Sequence, residues 1–223
     1  MSPYGGVHTS STDSFAIVAI KFVSDKPANS FIMYNYQNAE IGKKISIETY
    51  EFEDAEEINK ELLRIGTSFE FGKEYFSMDS WAVAELKKRV MGYASEIAKE
   101  YQWYDEPKLI HGRQHPLAPN ESDTPHFHPF AKMLAVYYVQ AKENAGDILF
   151  LDPRGGTFWP DTKAVTNEYR LARIYHRVTP KPGLLVIFPN YLAHSVETNL
   201  SNDWRISIAM EIFDLPKMFM ATA

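Results

Sequence analysis

Residues 184–213 read LLVIFPNYLAHSVETNLSNDWRISIAMEIF. The stretch opens on a strand-sized apolar run, Leu184–Pro189, and closes on a strand, Trp204–Phe213, whose residues alternate in polarity. In an extended chain, alternate residues share a face. One face of the second strand therefore carries Trp204, Ile206, Ile208, Met210 and Ile212, and the other Arg205, Ser207, Ala209 and Glu211. The apolar face belongs against helices or a second layer. The other face bears a long cation followed by two small residues. Turned into a barrel interior, Arg205 and Ser207 would hold an anion there, because a guanidinium fork grips a carboxylate bidentately and a hydroxyl adds a third bond. Turned outward, the same residues are the wet side of an edge strand. Between the two strands, His194 follows a turn and belongs at a strand mouth. Upstream, Lys181-Pro182-Gly183 carries the residues of a type II turn.

The rest of the chain divides near residue 107. Beyond it lie strand-sized pieces separated by Pro, Gly and Asn, among them Met133–Gln140 and Asp147–Asp152. Before it the signals are mixed. Asp79–Tyr101 reads as a helix: Val83, Leu86, Val90, Tyr93 and Ile97 recur at spacings of three and four, and Asp79 or Ser80 can cap it. Asp54–Ile65 reads as a shorter helix that Gly66 stops, and Ser14–Ile20 and Lys43–Phe52 read as strands. Residues 1–13 read as a flexible end. Helices followed by a run of strands predict an α+β, mainly β protein, with helices bracing a sandwich or barrel. At 223 residues, one domain is expected, with strands and supporting helices over 14–106 and a core over 107–215.

Composition narrows the chemistry. The chain has no cysteine, which excludes disulfides, thiolate zinc sites, iron–sulfur clusters and a cysteine nucleophile. A metal must use His, Asp, Glu or water, and there are seven histidines. The formal charge of −6 gives nucleic acid no support as a partner. No apolar run reaches membrane-span length, and the first residues lack a signal-peptide pattern, so a cytoplasmic location is the default expectation. A small-molecule or peptidyl substrate is the expected partner, and the acidic charge argues against a polyanionic one. Oligomeric state is not legible.

In His126-Phe127-His128 two imidazoles lie two residues apart, so in an extended segment both face one ion. His194 is a third candidate. Imidazole suits iron, zinc, copper and nickel. The bland alternative is a surface or hydrogen-bonding pair. His8, His111, His115 and His176 carry no assigned role; His115 lies nearest the pair.

Taken in order, the H-x-H pair, the aromatic strand containing Tyr138, a Gly-initiated strand, a Pro-Gly turn before an apolar strand, His194, and Arg205-x-Ser207 resemble a known family. It is the 2-oxoglutarate and Fe(II)-dependent oxygenases, with the prolyl-hydroxylase-like branch closest, including a group with an H-x-H-P motif. The resemblance covers about residues 124–213. It implies a double-stranded β-helix, or jelly roll, as the catalytic core over 107–215. It implies Fe(II) held by His126 and the distal His194. His128 stands where the family usually carries a carboxylate, a departure that leaves the ion one charge more positive. Asp152 is an alternative third ligand, but His128 is favoured because i and i+2 geometry needs nothing further. Arg205, Ser207 and Tyr138 match the family's partners for the far carboxylate of 2-oxoglutarate, and no catalytic side chain is implied beyond the metal ligands. The implied activity is an O2-dependent oxygenase of hydroxylase type on an unidentified substrate, with succinate and CO2 as co-products. The loop Gly155–Tyr169 is placed at the mouth. Two other readings stay open: a cupin-like three-histidine metal enzyme that does not use 2-oxoglutarate, and a non-catalytic ligand-binding jelly roll.

Overall fold

Met133–Gln140 and Leu184–Pro189 are apolar at nearly every position, which suits strands covered on both faces. The computed structural model, which describes residues 21–22, 29–34, 44–66, 75–101, 106–151, 153 and 175–214, places them side by side in the middle of a sheet. In chain order the strands are β1 (Lys21–Phe22), β2 (Asn29–Tyr34), β3 (Lys44–Glu51), β4 (Lys108–Leu117), β5 (Asp123–His126), β6 (Met133–Gln140), β7 (Ile148–Leu151), β8 (Tyr175–Val178), β9 (Leu184–Pro189), β10 (His194–Val196) and β11 (Arg205–Phe213). Two helices, α1 (Ala55–Gly66) and α2 (Trp81–Glu100), lie between β3 and β4. The major sheet has the order β1-β2-β3-β9-β6-β11-β4, and the minor sheet β5-β10-β7-β8. Neighbouring strands pair antiparallel.

Alternation sorts the central strands into two cores. Leu134, Val136 and Tyr138 of β6 and Leu184, Val186 and Phe188 of β9 meet Ile148 and Phe150 of β7 and Val178 of β8 between the sheets. The intervening residues Ala135, Tyr137, Leu185 and Ile187, with Ile208, Met210 and Ile212 of β11, face the helices. Two facing antiparallel sheets with helices on one outer side make the predicted mainly β jelly roll. Each fully buried Leu or Ile in these layers contributes about 1.5–3 kcal/mol.

The helices present the expected stripes. α2 buries Val83, Leu86, Val90, Ala94 and Ile97, and α1 buries Ile58, Leu62 and Ile65. Ser80 is the N-cap of α2, as its sequence suggests, but its hydroxyl makes no cap bond; it donates instead to Glu61 of α1 at 3.2 Å. Arg89 of α2 grips Asp54, ahead of α1, through two bonds of 2.6 Å. The turn before β9 is type II as expected: Leu184 N–H donates to Lys181 C=O, and Gly183 has φ +85°. A side chain at Gly183 would also lie 2.4 Å from Ala55 Cβ, so the turn and the start of α1 both require glycine.

Several boundaries differ from the sequence reading. The helix expected to start at Asp54 begins at Ala55, and the strand expected over Asp147–Asp152 is described as Ile148–Leu151. β4 has no counterpart in that reading, because Gly112 and Pro116 look like breaks. As the edge of the major sheet it tolerates Pro116, and Gly112 leaves room for the Phe76 ring, 2.1 Å from where a Cβ would sit. The expected flexible end 1–13, the strand Ser14–Ile20, Asp152 and the loop Gly155–Tyr169 lie outside the described residues. Among the described residues no helix is long and apolar enough to cross a membrane.

Candidate metal centre

Strand pairing brings the three histidines together. In the minor sheet β10 runs antiparallel to β5, and its first residue, His194, stands opposite His126. β5 ends there, and His128 follows two residues on. Its backbone is fixed against the turn after β9: His128 N–H donates to Asn190 C=O and Asn190 Nδ2 donates back to His128 C=O, each at 3.3 Å. One ring nitrogen from each of His126, His128 and His194 lies within 4.8 Å of the others. The His126 and His194 rings are 4.4 Å apart, and those of His128 and His194 5.5 Å. Two metal–nitrogen bonds of about 2.1 Å span at most about 4.2 Å, so closing on one ion takes only small side-chain movements.

The other ring nitrogens are already committed. His126 Nδ1 lies 2.8 Å from Thr124 C=O and His194 Nδ1 3.0 Å from Leu192 C=O. His128 Nδ1 lies 2.7 Å from Glu211 Oε1. Carbonyl and carboxylate oxygens only accept, so each Nδ1 carries a proton, and in the neutral ring the lone pair lies on Nε2. That is the tautomer a metal-binding imidazole needs, fixed before any ion arrives. Burial pushes the His194 pKa down to about 4, against a smaller upward pull from the Leu192 carbonyl. His194 is therefore neutral at pH 7, and a metal need displace no proton from it. A three-nitrogen donor set lining a cavity suits iron, zinc, copper or nickel.

The second feature is Arg205. It is 1% exposed and lines the same cavity as the triad, together with Ser207. Its contacts are weak: Nη1 reaches Ser207 Oγ at 3.5 Å and Nη2 reaches Tyr138 Oη at 3.4 Å, both at the long limit of a hydrogen bond. Nε has no partner. The guanidinium also lies over the Tyr138 ring, 4.9 Å from its centroid. Register explains the grouping: Ser207 is opposite Tyr138 on one side and His115 on the other. Burial raises the Tyr138 pKa and the cation beside it works the other way, so Tyr138 is a neutral donor. Among the described residues, no carboxylate pairs with Arg205. Apolar Leu134, Val136, Ile148 and Phe188 complete the walls of the cavity.

Six of the residues singled out in the sequence thus come together: His126, His128 and His194 line the cavity with Arg205 and Ser207, and Tyr138 meets Arg205. Sequence reasoning missed Glu211, whose only signal was that it shares strand parity with Arg205 and Ser207. It also missed the rim formed by His115 and Asp123, 3.4 Å apart. His176 sits on β8 opposite Phe150, away from the triad.

Residues 115–211 match a family model described as "Putative 2OG-Fe(II) oxygenase". No curated protein matches the chain. A prolyl-4-hydroxylase from Pseudomonas putida is similar in structure, with a TM-score of 0.55 at 13% identity over 76% of this chain and 88% of that one. The epimerase SnoN, solved with Fe3+, alpha ketoglutarate and nogalamycin RO, gives a TM-score of 0.52 at 15% identity over 72% of this chain and 75% of that one. The chain spans 59% of an oxidoreductase of the 2OG-Fe(II) oxygenase family from Burkholderia pseudomallei, with 60% of this chain covered, a TM-score of 0.44 and 13% identity. The fold common to the first two is the double-stranded β-helix.

Proposed function

Starting from the match of residues 115–211 to the 2OG-Fe(II) oxygenases, we propose that this chain is an O2-dependent Fe(II) oxygenase of hydroxylase type that uses 2-oxoglutarate as cosubstrate. His126, His128 and His194 hold the iron. Arg205, with Ser207 and Tyr138 beside it, takes the far carboxylate of 2-oxoglutarate. When bound, iron and cosubstrate supply the oxidising chemistry, with succinate and CO2 as co-products and oxidation of a substrate C–H bond as the outcome.

The observation that carries this reading is the buried Arg205 with its unpartnered Nε and no carboxylate partner among the described residues. A guanidinium out of water is stable only when paired. A dicarboxylate whose other end sits at the triad supplies that pair. The protein's part is positional. Arg205 and Ser207 fix one end of the dianion, so the other is presented to the three imidazoles in one orientation. Tyr138 supports the guanidinium. Leu134, Val136 and Phe188 keep water from the space between. That SnoN, an epimerase, shares the fold leaves hydroxylation a matter for direct assay. Its partners are inferred to be a small-molecule or peptidyl substrate.

The test is anaerobic titration with Fe(II) followed by 2-oxoglutarate. Near-stoichiometric iron binding and iron-dependent 2-oxoglutarate binding are expected. Iron binding without any affinity for 2-oxoglutarate would favour the second reading, a cupin-like three-histidine enzyme whose Arg205 binds the anion of its own substrate. That the ligand group among the described residues is three histidines favours that reading. No iron binding at all would leave a non-catalytic ligand-binding jelly roll.

A further inference from the structure

The three imidazoles are not held alike. His126 and His194 each give Nδ1–H to a main-chain carbonyl two residues earlier in their own segments. These acceptors are local and uncharged. His128 gives Nδ1–H to Glu211, 83 residues away, at 2.7 Å. The side chains are 13% and 29% exposed, so the pair is only partly screened by water.

Glu211 reaches this position by register. It lies on β11 opposite Leu134 of β6, on the face shared with Arg205, Ser207 and Ala209. One strand therefore carries the buried cation at its beginning and a carboxylate toward its end, with the cavity between them. Glu211 makes no ion pair with Lys or Arg among the described residues. Its Oε1 meets the His128 ring, and His111 stands opposite it on β4.

A carboxylate accepting Nδ1–H from a ligand imidazole fixes the ring's orientation, makes Nε2 more basic and passes negative charge toward the ion. The family pattern places a carboxylate at the position of His128. Here an imidazole stands in that place, and a carboxylate sits directly behind it. We propose that Glu211 is the positioning residue for His128 and restores, one residue behind the ligand, the negative charge that the three-histidine set lacks. The proposal rests on the iron site proposed above. On this account the centre is electrostatically a two-histidine, one-carboxylate site, although its ligand atoms are all nitrogen.

The test compares the full-length protein with Glu211→Gln and Glu211→Leu. The amide oxygen of Gln still accepts Nδ1–H and keeps the shape, so Gln isolates the charge. Leu removes both. Three quantities are measured: the melting temperature without metal, anaerobic Fe(II) affinity with Co(II) as a second probe, and the Fe(III)/Fe(II) midpoint potential. For Glu211→Gln the expected result is an almost unchanged melting temperature, metal affinity about 10–100-fold weaker, and a more positive potential. Glu211→Leu should lose at least as much affinity. If wild-type protein binds Fe(II) while Glu211→Gln matches it in affinity and potential, Glu211 is a structural tie and this proposal alone falls. If wild-type protein binds neither Fe(II) nor Co(II), the iron site falls and the role of Glu211 with it.

Discussion

A guanidinium 1% exposed, with two hydrogen bonds at 3.4–3.5 Å and none at Nε, carries a desolvation cost that poor pairing leaves largely uncompensated. On the proposed reading a bound carboxylate offsets that cost, so Arg205 should separate stability from binding. Arg205→Met keeps much of the volume and removes the charge. It is expected to leave the ligand-free protein as stable or more stable, by up to about 1–4 kcal/mol. It should weaken 2-oxoglutarate by about 2–5 kcal/mol, since the far carboxylate is left unpaired. Denaturant melts and calorimetric titration check the two halves, and a destabilised variant with normal affinity would mean that Arg205 is a structural residue. His194 is the complementary case. Its ring lies within 5.5 Å of both other imidazoles, and His194→Ala should abolish Fe(II) binding in the same titration. These residues were readable because the H-x-H pair, His194 and Arg205-x-Ser207 stand in an order and spacing that resembles a known family, although neither pattern decides alone. Glu211 was not, since an acid near the end of an alternating strand looks the same whether it faces solvent or an imidazole.

Each inner strand places two kinds of residue back to back, and β6 is the sharpest instance. Tyr137 and Tyr138 are adjacent and both fully buried. Tyr137 faces the helices, where its hydroxyl donates to Asn59 of α1 at 2.8 Å. Tyr138 faces the cavity side and touches Arg205. Tyr137→Phe strands the buried Asn59 oxygen and should cost about 1–3 kcal/mol, with 2-oxoglutarate affinity unchanged. Tyr138→Phe should do the reverse, weakening 2-oxoglutarate severalfold at little cost in stability. Chemical denaturation and ligand titration on the pair decide it, and equal effects on both quantities would show that the strand does not divide the roles. The parity that makes this prediction was legible in the sequence, as were β6, β9 and β11, because each alternates or runs apolar without interruption. β4, β8 and β10 were not. β4 is an edge strand that tolerates Gly112 and Pro116, β8 is four residues long, and β10 is three. What defines such strands is their neighbours, which local sequence does not name.

Across the whole molecule, the jelly roll encloses more than one imidazole in its neutral form, and that has a consequence for acid stability. Burial lowers the pKa of His176 on β8 and of His115 at the cavity rim, and lowers that of His194 to about 4. For His115, Arg113 and Arg205 push the same way, while Asp123 opposes them. The ordinary value in an unfolded chain is about 6.5, so below that pH the unfolded state binds more protons than the folded one. The contribution of these rings is complete above about pH 6.5 and is lost as pH falls toward the folded values. Carboxylates held low by cations, such as Asp54 beside Arg89, lose their contribution only at lower pH, so the two classes separate on the pH axis. Metal-free protein should therefore become progressively less stable between about pH 7 and 5, before the carboxylates titrate. Saturating Fe(II) should raise stability most at the high end of that range, where protons compete least with the ion for imidazole nitrogens. Urea midpoints at pH 7.5, 6.0 and 5.0, measured anaerobically with and without Fe(II), read both effects. Midpoints without metal that stay flat across this interval would mean that these histidines take up protons without cost, and the neutral form assigned to His194 would lose its support.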